Sequence, residues 1–482
     1  MTQTPQKISN SEKQLEALLA DKRLPSFIHA MICFLGVFAM ISLGLFVLQA
    51  SLHAIIFLTL IWGAIQASWL GHSFIAIRQM MSQGIYKALP AIYIFLLIGM
   101  VIASYMQSGT VASLLYYGID LLNPVIFLPV GLILCSFMSV ATGTSWGTVG
   151  TVGVVLMGIG ETMGIPLPIV AGMVISGATF GDKLSPISDT TNLAAMSADT
   201  NLYRHIQSML YTTTPTFLIV LGLFVLLGMQ YTENMLPRAH IEEIRVALAG
   251  GYLLNPWITL LPLIVMFGLS VKRYSPEVSM SMSILLAMLI AIVYQEKNGV
   301  DVLNTLWLNT DGTTGIENID ALLGRGGMYS MAWTLLLSIM ALALGGILHH
   351  AGFLRVLLVN IIVHIKRVST LIAATIAAGF ASNIAMGEAY ISIILNCQLF
   401  KGFYDEKGLD KAVLSRSVEE GATLTTALIP WTTTGTFYAA TLGIATLEYA
   451  PYALLNILNP FVSIVMAFVG IGLMQNKLHT KP

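Results

Sequence analysis

Long runs without any charge dominate the chain. No Asp, Glu, Lys or Arg occurs in residues 27–77, 121–160, 246–271 or 326–354. A helix crossing a bilayer takes about 20 apolar residues, so the longer runs hold more than one crossing. They are rich in Leu, Ile and Met and lack the two-residue alternation of barrel strands, which predicts helices. The pattern places segments near 27–48, 52–70, 89–106, 124–142, 145–160, 166–195 and 209–229. Seven more fall near 255–271, 279–295, 328–349, 369–384, 386–400, 417–441 and 454–474. The expectation is an all-α polytopic membrane protein with about 14 transmembrane segments. Its parts are a tail (1–26), a first membrane repeat (27–229), a linker (230–254), a second repeat (255–474) and a second tail (475–482).

Charges in the loops orient these segments, because Lys and Arg collect on the cytoplasmic side. Lys7, Lys13, Lys22 and Arg23 put the first tail inside. Arg78 and Lys87, Lys272 and Arg273, and Lys366 and Arg367 also fall inside. The group Lys401, Lys407, Lys411 and Arg416 falls inside as well, and Lys477 and Lys481 place the second tail there. The loop 107–123, with Asp120 and no Lys or Arg, and the loop 296–327, with five acids and two bases, fall outside. Residues 354–364 read as a short helix lying on the inner surface. No cleavable signal peptide is expected from the polar, mixed-charge residues 1–26.

Composition removes several function classes. With 56% apolar and 10% charged residues, against about 25% charged in soluble domains, the chain is neither water-soluble nor disordered. A net charge of −1 leaves no footprint for nucleic acid. Cys33, Cys135 and Cys397 stand far apart in apolar runs and form neither a disulfide framework nor a metal motif. The sequence Gly143-Thr144-Ser145-Trp146-Gly147 is formally a hydrolase elbow. It lies in a forty-residue uncharged run rather than between a strand and a helix, so no enzyme and no cofactor is inferred.

An internal repeat is visible. GATFGDKLSPISDTTN from Gly177 and GATLTTALIPWTTTGT from Gly421 share six residues of sixteen at an offset of 244, including Pro186 and Pro430. Seven segments per half make the second half enter from the opposite side. That is the inverted architecture of many secondary transporters, with broken helices at the midplane where the halves meet. Adding 240 to Gly147 leads to Gly387 and places Glu388 at an equivalent break.

Candidate chemistry concentrates at these breaks. Asp182, Ser185, Ser188, Asp189, Thr190 and Asn192 surround Pro186, which cannot continue a helix. Carboxylates, hydroxyls, an amide and freed carbonyls are the ligands hard cations take. A carboxylate at membrane depth costs on the order of 3 kcal/mol and is a functional hypothesis by default. Burial also favours its protonation, so such an acid can release a proton when Na+ arrives. Asp189 is the leading carrier, with Asp182 and Glu388 as supporting charges; Asp182–Lys183 reads equally as an ion pair at the membrane surface. Thr144 and Ser145 in the Gly-rich stretch 141–153, and Asn383, Thr433 and Thr434 in the second half, complete the set. Glu419 and Glu420 read as an acidic pair at the inner surface or as a gate.

The motif GDKLSPISDTTNLA (181–194), with EEGATLTTALIPWTTTG (419–435), resembles the NhaC family of sodium/proton antiporters in the ion transporter superfamily. The resemblance covers nearly the whole chain. It implies a secondary transporter of a bacterial inner membrane exchanging Na+ for H+, with Asp182, Ser185, Ser188, Asp189, Thr190 and Asn192 carried over from the motif. The family also holds malate/lactate exchangers and sodium-driven amino-acid carriers. A Na+- or H+-coupled carrier of a small organic solute is therefore the alternative, and a homo-oligomer is left open.

Overall fold

Helix ends in the computed structural model fall at the expected breakers. It describes residues 24–474 apart from 88, 119–123, 187, 232–237, 273, 310–323, 325, 363–364 and 366. Residues 1–23 and 475–482 of the tails, Asp120, Arg273, Lys366 and nearly half of the expected outer loop 296–327 lie outside the described residues.

The first half contains α1 (Phe27–Ser42), α2 (Leu52–Trp69), α3 (Phe74–Lys87), α4 (Leu89–Gln107), α5 (Thr110–Gly118), α6 (Pro124–Thr142) and α7 (Ser145–Thr148). A π-helical turn, Val149–Gly153, joins α7 to α8 (Val154–Thr162); α9 (Leu167–Leu184), α10 (Asp189–Ser197) and α11 (Leu202–Met229) follow. Next come α12 (Arg238–Gly251), α13 (Pro256–Thr259), α14 (Leu261–Val271), α15 (Pro276–Val293), α16 (Gly299–Trp307), α17 (Ala332–His350) and α18 (Phe353–Ile362). The chain then forms α19 (Val368–Met386), α20 (Ala389–Glu406), α21 (Lys411–Thr426), α22 (Thr433–Leu442), α23 (Thr446–Tyr449) and α24 (Leu454–Val469). The expected linker 230–254 thus holds a helix of its own, α12.

The repeat runs in strict register through the part that matters. Helices α6 and α19, α7 and α20, α9 and α21, α10 and α22, and α11 and α23 each begin 244 residues apart. This corrects the alignment drawn from sequence at the first break. Gly143, not Gly147, is the partner of Gly387: both take left-handed backbone, φ +71 and +67. Glycine adopts that conformation without steric cost and ends the helix before it. Gly147 lies inside α7 and ends nothing.

Close backbone approach fixes the direction of the paired helices. A Cβ on Gly177 would lie 2.5 Å from the Leu132 carbonyl oxygen, and one on Gly181 2.3 Å from that of Ser136. The Ser185 hydroxyl donates to the Val140 carbonyl at 2.8 Å. Helices α6 and α9 therefore run parallel and end at one level. In the second half, Gly379 meets Gly421 and the Asn383 amide donates to Thr425 Oγ1 at 3.0 Å, so α19 and α21 are also parallel.

The two sets point in opposite senses. From the breaks, α10 runs towards Asp199, which pairs with Lys401 and lies 3.9 Å from Lys411 at the start of α21. Arg204 and Asp410 pair at 2.9 Å at the same end. By contrast, α22 runs from the breaks to Leu442, which packs near Gly153, and Gly172 of α9 abuts Tyr452. At the charged end the Lys401 ammonium donates to the Asp199 carboxylate and holds that carboxyl below its usual range. The halves also interlock: α2 and α3 pack on α17, while α15 and α16 pack on α4.

Among the described residues six helices are long and apolar enough to cross a membrane, two bent helix pairs meet the same test, and three shorter apolar helices accompany them. The chain is an all-helical, multi-pass membrane protein. By length and hydropathy the described residues give six spans, or eight if each bent pair is one span, fewer than the fourteen expected.

Candidate functional site

Four helix breaks meet around one cavity of about 920 Å³. Each is built from residues that cannot continue a helix and others that cap the next one. After Gly143, Thr144 turns extended and its hydroxyl accepts from the Gly147 N–H. After Leu184, Ser185 leaves the helix and Ser188 caps α10 through the Thr191 N–H. After Gly387, the Glu388 carboxylate accepts from the Tyr390 N–H, and after α21 the Thr432 hydroxyl accepts from the Gly435 N–H. Each break delivers a helix C-terminus with free carbonyls and a helix N-terminus with free N–H groups to membrane depth.

The caps repeat between halves but the acids do not. At the fixed offset Thr144 corresponds to Glu388, Asp182 to Thr426 and Asp189 to Thr433. Asp182 is 5% exposed; its Oδ2 accepts from the Ser145 hydroxyl at 3.0 Å, whereas Oδ1 is buried without a hydrogen-bond partner. Glu388 is 3% exposed and satisfied on both oxygens, by the Tyr390 N–H and by the Thr433 hydroxyl at 2.7 Å. Asp189 is exposed to the cavity, accepting from the Tyr390 hydroxyl and from the Thr190 N–H. Trp146 stacks on Phe437 at 4.6 Å and joins α7 to α22 beside the acids.

Seven of the twelve residues expected from sequence line the cavity: Thr144, Ser145, Asp182, Asp189, Thr190, Glu388 and Thr434. Five do not. Ser185 is spent on Val140, Ser188 on capping α10, and Asn192 on the carbonyls of Pro186 and Ser188. Asn383 bonds Ala422 and Thr425, and Thr433 supports Glu388 from behind. These five shape the breaks, because a polar group buried in a helix interface takes a partner there.

Three surface assignments are corrected. Lys183 is 1% exposed, so Asp182–Lys183 is a buried pair rather than an interfacial one. Glu419 and Glu420 are fully buried, and Arg416 belongs to the interior of α21 rather than to the loop before it. Each acid has its own partners: Lys183 Nζ lies 2.9 Å from Glu419 Oε1, and His205 Nε2 lies 2.7 Å from Oε2. Glu420 accepts from the Thr212 hydroxyl at 2.5 Å and sits 3.9 Å from Arg416. Sequence reading placed Lys183 at the surface and gave no role to His205 or to Tyr390 and Tyr438, which line the cavity. An acid pair directly before a repeated Gly-Ala-Thr was the one available signal for the buried network.

The cavity extends along the helices that lead to the charged end, where Leu193 of α10 and Ile391, Ile394 and Gln398 of α20 line it. The inner part is ringed by acids and hydroxyls, a chemistry suited to a hard cation.

Comparison with known proteins gives a consistent picture. The model of a family described as the Na+/H+ antiporter family matches residues 17–191 and 177–471. The chain is 36% identical to the Na+/H+ antiporter NhaC of Alkalihalophilus pseudofirmus, covering 90% of this chain and 94% of that one. It is 33% identical to the malate-2H+/Na+-lactate antiporter of Bacillus subtilis, over 96% of this chain and 98% of the relative. It is also 33% identical to the Na+/H+ antiporter NhaC of the same organism, over 88% and 94%.

Proposed function

The chain belongs to the Na+/H+ antiporter family, and on that premise we propose that Asp182 is the carboxylate at which Na+ and H+ compete. The protein is a secondary transporter that exchanges Na+ for H+. The observation that carries the assignment is the buried Asp182 Oδ1 with no hydrogen-bond partner, on the wall of the cavity. A buried carboxylate oxygen without a donor is costly unless a proton or a cation occupies it. The Ser145 hydroxyl on Oδ2, with Thr144 and Thr434 on the same wall, supplies further oxygens for the ion. Asp189 moves from leading carrier to an acid at the cavity side, where it attracts cations. Glu388, engaged by Thr433 and Tyr390, tunes the field.

One carboxylate shared by two cations gives exchange without further machinery. Na+ binding expels the proton, and the proton returns when Na+ leaves. Alternating exposure of the site to the two sides then couples the fluxes. Apparent Na+ affinity falls as pH falls, since protons compete for the same oxygens.

The charged end faces the cytoplasm of a bacterial cell, on the strength of Arg204, Lys401, Lys407 and Lys411 gathered there. Both termini share that side, and the protein resides in the inner membrane. A cysteine at Val300, exposed at the start of α16, then reacts with an impermeant thiol reagent in intact cells. A cysteine at Asp405 reacts only after permeabilisation. The three native cysteines are buried and give little background. Labelling with the two positions reversed overturns the orientation.

A carrier of an organic anion is the alternative, since one relative exchanges malate and lactate. Four acids line the cavity, and its lysine is already held by Glu419, which disfavours a carboxylate guest. The test uses purified protein in liposomes with an internal pH dye and a Na+ pulse. A proton signal with no organic solute present supports the antiporter reading; a signal that appears only with a solute sinks it.

A further inference from the structure

A chain of four buried ionisable groups leads from the Na+ site into the body of the protein and crosses from one repeat to the other. Asp182 Oδ2 lies 3.5 Å from Lys183 Nζ, which lies 2.9 Å from Glu419 Oε1; Glu419 Oε2 lies 2.7 Å from His205 Nε2. All four are nearly or wholly excluded from solvent. Resting on the antiporter reading above, we propose that His205 is a second proton-accepting group of the exchange, coupled to the Na+ site through Lys183 and Glu419.

The argument is one of charge. With His205 neutral and Asp182 ionised and empty, the cluster carries two negative charges and one positive, so one negative charge is left over. A proton on His205 neutralises it, and so does Na+ or a proton at Asp182. A cation at Asp182 together with a proton on His205 leaves an uncompensated positive charge away from water, which is expensive. The two cations therefore exclude one another without sharing an oxygen. Coulomb interaction at these separations is strong in a low-dielectric interior, and the histidine side chain is the one whose ordinary titration lies near neutral pH.

Both ring nitrogens have an oxygen beside them. Nε2 lies 2.7 Å from Glu419 Oε2, out of line for a hydrogen bond, and Nδ1 lies 2.5 Å from the Ser415 hydroxyl, which can donate to it or accept from it. A proton added to the neutral ring leaves an N–H towards each. His205 stands one turn into α11 from Asn201, close to the charged end.

The other charges around this cluster do not upset the balance. On α21, Arg416 and Glu420 lie 3.9 Å apart and offset each other. On α11, Arg204 is exposed and paired with Asp410. From α20 only the Cys397 thiol and Lys401 approach, the latter paired with Asp199. Asp189 on α10 and Glu388 at the start of α20 line the cavity at the Asp182 end of the cluster. Asn459 of α24, near Glu420, carries no charge.

The test is the pH profile of the apparent Na+ KM in proteoliposomes between about pH 6 and 8.5. His205→Gln keeps a polar side chain of similar size and cannot charge. It is expected to match the unsubstituted protein at the alkaline end and to show a KM about tenfold lower at the acid end. Glu419→Gln removes the spare negative charge and is expected to weaken Na+ at every pH and flatten the profile. Should His205→Gln fail to insert, Glu419→Gln alone decides, because an unaltered slope there excludes the coupling. An unchanged profile in His205→Gln, or a uniform loss with the same slope, overturns the proposal. Either result alongside an inactive Asp182→Asn leaves the Na+ site standing, whereas full exchange in Asp182→Asn removes the premise itself.

Discussion

Asp182→Asn abolishes Na+-driven proton movement, by at least about a hundredfold, while the protein still folds and inserts. A loss of that size corresponds to about 2.7 kcal/mol or more of coupling free energy. Asn preserves the volume and one oxygen, so the Ser145 hydroxyl keeps its acceptor and α9 keeps its contact with α7. What disappears is the charge that holds Na+ and the group that takes the proton. Asp189→Asn is expected to lose only a few-fold, because Asp189 is exposed to the cavity and already shared with Tyr390 and the Thr190 N–H. Glu388→Gln keeps an acceptor for the Tyr390 N–H and presents its NH2 as a donor to the Thr433 hydroxyl, and falls between the two. The measurement is the dye response to a Na+ pulse in liposomes across pH, normalised to inserted protein. If Asp182→Asn exchanges normally and Asp189→Asn does not, the proton belongs to the exposed acid and the buried oxygen has another purpose.

The breaks were legible in the sequence because the residues that make them are chemically unusual. Pro186 lacks an N–H, and Gly143 and Gly387 take backbone that other residues avoid. The alignment error at Gly147 arose because several glycines crowd into 141–153 and only the backbone shows which one turns left-handed. The inverted repeat was legible at Gly177 and Gly421, where two parallel helix pairs need the same small residue.

The buried network was not legible, for a physical reason. Helix α21 reads KAVLSRSVEEGATLTT, with four ionisable groups in its first ten residues, and such a pattern ordinarily marks a helix facing water. Yet every residue from Ala412 to Thr426 is buried. Glu419 is matched by Lys183 and His205, which lie more than two hundred positions earlier in the chain, whereas Glu420 takes Thr212 and Arg416. A polar helix becomes an interior helix only when its partners arrive from elsewhere, and sequence proximity carries no trace of them. The same holds for Tyr390, which begins an apolar-looking segment and meets Asp189 only through the packing of α10 against α20.

That interlocking makes the second large effect a packing one. Gly421→Val is expected to destabilise the protein by about 1–3 kcal/mol or more and to remove transport with it. A Cβ at 421 would lie 2.4 Å from the Ile376 carbonyl oxygen, and the facing Gly379 meets the Gly421 backbone in turn. Neither neighbour is a side-chain tip that rotates away, so α19 and α21 must separate. Separation carries Glu419, two residues earlier, away from Lys183 and His205, and moves the break that seats Thr432 and Thr433. Gly177→Val does the same in the first half, where the obstacle is the Leu132 carbonyl at 2.5 Å. Gly222→Val in α11 is the control, since nothing lies within 4 Å of the added carbon. Thermal unfolding of the detergent-purified variants, read alongside the liposome assay, distinguishes them. A Gly421→Val protein as stable as Gly222→Val means that the two helices are not held in contact, and that the shared level of the breaks has another cause.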